Sequence, residues 1–177
     1  LVSIDTGDLE VAVSLAARLK NHVGGFKLGK EFFTANGPEG VRRVASETEH
    51  IFLDLKFHDI PNTVAGAISS ARRLGPFMMN VHASGGRAMM EAAVRANLEF
   101  NGSKCILIAV TLLTSLSKYD LKQIGISVDL SQQVVRLARL AKDCGMNGIV
   151  CSPLEISLLR EACGEDFILV VPGVRPT

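Results

Sequence analysis

The chain has 177 residues, of which 47% are hydrophobic and 21% charged, and its formal net charge is +1. This length and composition predict a single folded domain over residues 1–177 with a sizeable core, and they exclude a disordered chain. The near-neutral charge argues against a nucleic-acid footprint, and no apolar run approaches the length of a membrane span. We therefore expect neither nucleic acid nor a membrane as a partner.

The four cysteines show no Cys-x-x-Cys spacing; they are Cys105, Cys144, Cys151 and Cys163. Two lie in apolar runs and two near the ends of helical patterns, which is typical of buried reduced thiols. The first residues show no signal-peptide pattern. These features together predict a cytoplasmic protein.

Along the chain, short apolar runs alternate with segments of helical periodicity. The predicted strands cover residues 1–5, 24–29, 51–56, 77–82, 105–110, 148–151 and 167–171. The predicted helices cover residues 9–20, 30–35, 37–45, 62–74, 86–98, 130–142 and 153–162, with Asp8 and Ser152 as N-terminal caps. We expect a polar loop between residues 110 and 130. Because most strands are apolar on both faces, the pattern indicates a parallel sheet covered by helices.

Polar residues recur at the carboxyl ends of these strands, and they favour a closed barrel over an open sheet. The first strand-to-helix turn lacks the glycine fingerprint of a dinucleotide-binding sheet. Side chains from many strand ends converge on one point only if the sheet closes, as in a (β/α)8 TIM barrel. Such barrels rarely have fewer than about 200 residues, so we expect this one to be incomplete at its C-terminal end, without strand eight. The polar strand-end residues are Asp5, Lys27, Asp54, Lys56, His82, Thr111, Ser152 and Arg175.

The richest chemistry lies where the third strand ends. Asp54 and Lys56 alternate with Leu55 and therefore point to the same face of the strand. Asp59 follows the strand closely enough to reach the same lysine. Pro61 stops the strand, and Asn62 or Thr63 is predicted to cap the next helix. A charged strand end can also be merely solvated, so these residue types alone leave both interpretations open.

Residues 54–64, Asp-Leu-Lys-Phe-His-Asp-Ile-Pro-Asn-Thr-Val, resemble the signature of the orotidine 5'-phosphate decarboxylase family, in its bacterial branch. Segments 26–29, 81–86, 109–115, 150–153 and 172–176 resemble it too, in the right order and each at a strand end. The resemblance implies a TIM barrel that converts orotidine 5'-phosphate to uridine 5'-phosphate without metal or organic cofactor. The chain has no counterpart of the glutamine and the Gly-Arg pair with which the family holds the phosphate.

The resemblance also implies a role for each matching residue. Lys56 would be the proton donor, Asp54 would lie beside the substrate carboxylate, and Lys27 and Asp59 would complete an alternating charge array. In the homodimer that the family implies, Asp59, Ile60 and Thr63 would reach the partner's active site. Asp5 and Lys27 would hold the ribose hydroxyls. The remaining substrate-binding positions would be Pro61, Asn62, Thr114 near the pyrimidine, Pro172, and Arg175 in a closing loop.

The residue types suit this chemistry. Loss of carbon dioxide from C6 of orotate leaves a carbanion that the ring cannot delocalise. An ammonium next to C6 stabilises that charge and then protonates the carbon. Two alternatives remain open at this point: a metal-dependent sugar-phosphate decarboxylase or aldolase of the same superfamily, and a catalytically silent nucleotide-binding barrel.

Overall fold

Each of the seven apolar runs forms a strand in the computed structural model, which describes residues 1–174. All strand pairs are parallel, and the strand order in the sheet is the order in the chain. The strands are β1 (Val2–Ile4), β2 (Phe26–Gly29), β3 (Ile51–Phe57), β4 (Met78–His82), β5 (Ile106–Val110), β6 (Gly148–Val150) and β7 (Ile168–Val170).

This sequential order decides between the two parallel architectures. An open doubly wound sheet reverses its strand order at a switch point, whereas right-handed crossovers in unbroken order place every helix on one face. The sheet therefore curls with its other face inward, as a (β/α) barrel does. Residues 1–174 contribute seven strands, with β1 and β7 at the two edges of the sheet. The predicted incomplete TIM barrel is confirmed over these residues.

The core has two parts, one on each face of the sheet. The larger part lies between the strands and the helices and includes Leu28, Leu53, Val81 and Leu107. The smaller part is formed by Phe52, Met78 and Ile108 on the opposite face. Phe52 and Leu53 are neighbours in β3 but belong to different parts, as the alternation of side chains along a strand requires. The inward face thus has an apolar floor below the polar strand ends.

Seven α-helices connect and cover the strands: α1 (Leu9–Leu19), α2 (Lys30–Ala45), α3 (Pro61–Arg72), α4 (Gly86–Leu98), α5 (Lys118–Gln123), α6 (Leu130–Asp143) and α7 (Ile156–Cys163). Asp8 caps α1 by accepting the Val11 N–H, as predicted. The two helical segments predicted over residues 30–35 and 37–45 form one helix, α2, which is kinked where Gly37 takes a φ of 59°. None of the helices described is long and apolar enough to cross a membrane.

Two local predictions were wrong. Neither Asn62 nor Thr63 caps α3, because the helix begins at Pro61 and its cap residue is Ile60, without a side-chain bond. Proline suits the first helical position, since its fixed φ is already helical and its missing N–H is not needed there. The expected polar loop contains α5, which Ser117 and Asp120 cap reciprocally. The four cysteines are buried and free, as predicted.

Candidate active site

The candidate site begins with an irregularity at the end of β3. Between Leu53 and Phe57, β3 advances four residues while its partner β4 advances only two, from Met79 to Val81. The extra residues form a bulge, and within it Lys56 has a φ of 51°. Left-handed backbone is uncommon for any residue other than glycine and is held only where the surroundings fix it. Bulges re-aim side chains, and this one places the Lys56 ammonium beside the Asp54 carboxylate.

Four side chains from three adjacent strand ends form a row of alternating charge, here called the charge row: Asp5, Lys27, Asp54 and Lys56. Lys27 Nζ lies 3.2 Å from Asp5 Oδ1 and 3.5 Å from Asp54 Oδ2. Lys56 Nζ lies 2.6 Å from Asp54 Oδ1. Asp54 is nearly buried, both lysines are partly buried, and Asp5 is the exposed end of the row. Each charge therefore faces opposite charges only, which is the arrangement that holds several ions close together.

Asp54 is the electrostatic centre of the charge row. Burial alone would raise the pKa of its carboxyl group. The hydrogen bonds from Lys56 and Asn80, together with the charges of Lys56 and Lys27, outweigh burial and hold the pKa below its ordinary value of 3.8. Asp54 is consequently an anion at neutral pH, directly beside the ammonium that would have to deliver a proton.

Two residues of the site have no counterpart in the sequence-based predictions of function. Asn80, completely buried in β4, hydrogen-bonds both to Asp54 Oδ1 and to the Lys56 N–H. Gly29 pairs with Asp54 across β2 and β3, and a Cβ there would lie 3.4 Å from Lys27 Nζ. Gly29 thus leaves room for the ammonium. Asn80 lies in the middle of β4, among apolar neighbours. A polar residue inside an apolar run was the one sign of its role, and only polar residues at strand ends were considered in the sequence-based predictions.

The segment from Asp59 to Thr63 follows β3, and among residues 1–174 it makes no ion pair with the charge row. All five of its residues are exposed, and the Ile60 side chain keeps 66% of its surface accessible. Asp59 Oδ1 accepts the Ile60 N–H at 2.6 Å. Over residues 1–174, Lys56 pairs with Asp54, and no ion pair joins it to Asp59. A single chain therefore does not bring Asp59 to the lysine that the sequence spacing suggested. The other residues of the segment are Pro61, Asn62 and Thr63.

The remaining predicted positions lie on other strand ends. Thr114 follows β5 and is exposed; it lines a cavity of about 220 Å³ with residues of the segments after β5 and β6, and no residue of the charge row lines that cavity. Pro172 follows β7 and is exposed. Arg175 lies outside the described residues.

His82 completes the rim next to the charge row. Its ring centroid lies 5.4 Å from that of His58. Burial, and then electrostatic interactions with His58, Lys30 and Lys56, lower the pKa of His82 to about 4. His82 is therefore neutral at pH 7. Among residues 1–174, no group of three or more His, Cys, Asp or Glu side chains is arranged to hold a metal ion.

A partly buried lysine, paired with a carboxylate at the carboxyl end of a (β/α) barrel, is suited to proton transfer and to stabilising negative charge. The fold and site thus define a (β/α)-barrel enzyme of acid–base chemistry. The chain belongs to the orotidine 5'-phosphate decarboxylase / HUMPS family, whose sequence model matches residues 1–177.

Individual relatives agree with this assignment. An orotidine 5'-phosphate decarboxylase from Paramagnetospirillum magneticum is 51% identical over 179 residues, which cover 99% of this chain and 76% of the relative. One from Moorella thermoacetica is 49% identical over 181 residues, covering 99% and 72%. The crystal structure of the Lactobacillus acidophilus decarboxylase superposes with a TM-score of 0.87 at 35% identity, covering 99% of this chain and 80% of that one. The resemblance drawn from the sequence is confirmed.

Proposed function

We propose that this protein decarboxylates orotidine 5'-phosphate to uridine 5'-phosphate. The observation that carries the proposal is the Lys56 ammonium, held 2.6 Å from the Asp54 carboxylate within the charge row. In the reaction the bond between C6 and the carboxylate carbon breaks, its electron pair stays on C6, and carbon dioxide leaves. Lys56 stabilises the developing carbanion and then donates a proton from Nζ to C6.

The neighbouring charges have distinct roles in this proposal. Asp54 lies beside the departing carboxylate, where repulsion between the two anions favours its conversion to neutral carbon dioxide and moves the negative charge onto C6, next to the Lys56 ammonium. Asp5 and Lys27, at the outer end of the charge row, hold the ribose hydroxyls. Binding energy from these remote groups positions C6 against the lysine.

The other predicted residues are proposed as substrate contacts around this centre. Thr114 contacts the nucleotide near its pyrimidine, and Pro172 and Arg175 belong to the segment that closes over the ligand. Pro61 and Asn62 contribute from the start of α3. These assignments follow the matching positions of the family signature.

We also propose a homodimer in which Asp59, Ile60 and Thr63 reach the active site of the second subunit. Two observations support this. The segment is fully exposed and includes a large apolar side chain, Ile60, at 66% exposure. Asp59 forms no ion pair with Lys56 of its own chain, yet the charge row ends in that lysine, and one more carboxylate would continue the alternation.

The test of the proposed function follows the ultraviolet absorbance of orotidine 5'-phosphate with purified full-length protein and no added metal. Wild type should consume the substrate, and preincubation with a chelator should leave the rate unchanged. Lys56→Ala should lower kcat by about 10⁴-fold or more, because it removes both the proton donor and the stabilising charge. Lys20→Ala is the matched control, since Lys20 also pairs with a carboxylate, Glu47 at 3.1 Å, but far from the barrel mouth. Turnover by Lys56→Ala at the control's rate would contradict the mechanism.

A further inference from the structure

The bulge in β3 leaves a gap in the hydrogen-bond ladder that a side chain fills. Asn80 lies between the two β4 residues that keep their register with β3, Met79 and Val81. Opposite it, Lys56 has left-handed backbone and is displaced from the regular ladder. The Lys56 N–H donates instead to Asn80 Oδ1 at 2.8 Å. A buried backbone N–H without a partner is rarely tolerated, so this bond supports the unusual conformation of the lysine.

The other end of the same amide contacts the carboxylate. Asn80 Nδ2 donates to Asp54 Oδ1 at 2.6 Å, and this oxygen also accepts from Lys56 Nζ at 2.6 Å. The orientation of the amide is fixed by chemistry, because turning it over would set its oxygen against the carboxylate and its NH₂ against the Lys56 N–H. Asn80 is completely buried, so it lies beneath the charge row and not on the surface that a substrate would contact.

We propose that Asn80 is a positioning residue, whose single amide sets both the Asp54 carboxylate and the Lys56 backbone and thereby fixes where the ammonium lies. This inference rests on the proposed function for its effect on turnover. Its effect on the carboxylate does not depend on the reaction. Because Asn80 fixes the positions of Asp54 and Lys56 relative to each other, we expect it to affect the chemical step: small displacements of a proton donor reduce reaction rates strongly.

Asn80→Asp is the sharpest variant because it changes one end of the amide only. The new carboxylate keeps an acceptor for the Lys56 N–H and replaces the donor to Asp54 by a like charge. The charged and titratable groups that face Asp54 are Lys56 on its own strand, Lys27 on β2 with Asp5 behind it, and His82 on β4. Two carboxylates in contact cannot both ionise easily, so the pKa of the pair rises.

In this variant kcat should fall by about 10- to 100-fold at neutral pH, the range implied by losing a hydrogen bond to a charged group. KM should change by less than about 3-fold, because groups that hold the ribose and phosphate are not altered. The acid limb of the kcat–pH profile should move to higher pH. A change that merely loosened the core would lower the stability without moving that limb.

Asn147→Asp is the matched control. Asn147 Oδ1 likewise accepts a strand N–H at 2.8 Å, from Leu107, but it lies just before β6 at the opposite end of the barrel. This variant should keep the wild-type kcat and pH profile. If Asn80→Asp does not fold, Asn80→Ala serves in its place, since it removes the same donor to Asp54 without adding charge.

A second measurement follows the Asp54 carboxyl by carbon-13 NMR in the free protein, with the resonance assigned from an Asp54→Asn variant. The pKa of Asp54 should rise in Asn80→Asp or Asn80→Ala and stay unchanged in Asn147→Asp. An unchanged Asp54 titration, or wild-type kcat and pH profile in the Asn80 variants, would overturn the inference. If wild type itself does not consume orotidine 5'-phosphate, the proposed function fails, while the titration still decides whether Asn80 controls Asp54.

Discussion

Asp54 has two carboxylate oxygens and three nitrogen donors around them. Oδ1 accepts from Lys56 and Asn80, and Oδ2 faces Lys27 at 3.5 Å. A carboxylate this deeply buried is stable as an anion only because all three neighbours compensate for lost water. The same three contacts also hold the carboxylate in place. In the proposed reaction, a fixed Asp54 cannot move away from the substrate carboxylate, so the repulsion between them favours decarboxylation.

His82 allows a prediction about acid stability. Its pKa of about 4 in the folded protein lies below the 6.5 of an ordinary histidine, with burial as the main cause. Between these values the unfolded chain binds a proton that the folded protein does not, so stability is present above pH 6.5 and is lost as the pH falls towards 4. His82→Gln should reduce the loss of unfolding free energy between pH 7 and pH 5 by about 1 kcal/mol, allowing for solvent screening.

Urea unfolding at pH 7 and pH 5 measures that difference. Asp54 does not affect this comparison, because its pKa lies below 3.8 in the folded protein: its contribution to stability is fully present at both pH 7 and pH 5 and is lost only at lower pH. An equal loss of stability in His82→Gln and wild type would show that other groups cause the acid sensitivity.

At the scale of single elements, β3 shows what a sequence does and does not reveal. Alternation correctly put Asp54 and Lys56 on one face, because a run of apolar neighbours fixed the register of the strand. The bulge was invisible, since lysine is not a residue that signals left-handed backbone. The bulge is set by pairing with β4 and by Asn80, which is 24 residues away in the chain. Local patterns carry no information about such a distant partner.

The contact between β6 and β7 gives a prediction at the same scale. Gly148 pairs with Ile168, and a Cβ on Gly148 would lie 2.2 Å from the Ile168 carbonyl oxygen. Because backbone atoms on both sides must move, Gly148→Ala should lower the free energy of unfolding by about 2 kcal/mol or more. Gly66→Ala in α3 is the matched control: nothing lies within 4 Å of its Cβ, and alanine should stabilise the helix by about 0.5–1 kcal/mol.

Urea unfolding of both glycine variants against wild type measures the two effects. Opposite signs are expected from one chemical change, so the outcome reports on close packing between strands. If Gly148→Ala were as stable as Gly66→Ala, β7 would not be packed against β6 as closely as these distances require.

For the whole molecule, the predictable part was the part governed by burial. Seven apolar runs gave seven strands, because a parallel sheet hidden on both faces needs apolar residues throughout. The helix α5 was missed, since it has only six residues and depends on the reciprocal cap of Ser117 and Asp120 more than on periodicity. The meeting of Asp5, Lys27, Asp54 and Lys56 in the charge row could be predicted, because these polar residues lie at the ends of consecutive strands. The spacing of Asp59 suggested contact with Lys56, but among the described residues no ion pair joins the two. Whether Asp59 instead serves the second chain of the proposed dimer is a separate question.

That last question has a test that uses two inactive variants. Lys56→Ala and Asp59→Asn should each be nearly inactive as homodimers, because each site then lacks either its proton donor or the neighbouring acid. In a mixed dimer, the Lys56 of the Asp59→Asn chain meets the intact Asp59 of the Lys56→Ala chain, so one of two sites is restored. Random association of equal amounts should therefore recover about one quarter of the wild-type activity.

Coexpression with two different affinity tags isolates the mixed dimer, and its turnover of orotidine 5'-phosphate is then compared with that of each parent. Coexpressed Lys56→Ala and Lys56→Met chains are the control, because no pairing of these two chains restores a lysine. If Asp59 acted on the lysine of its own chain, every site in the mixed dimer would carry one defect and no activity would return. Recovery of activity thus requires both the dimer and the crossing of the Asp59–Thr63 segment, and its absence in a verified mixed dimer contradicts the shared site.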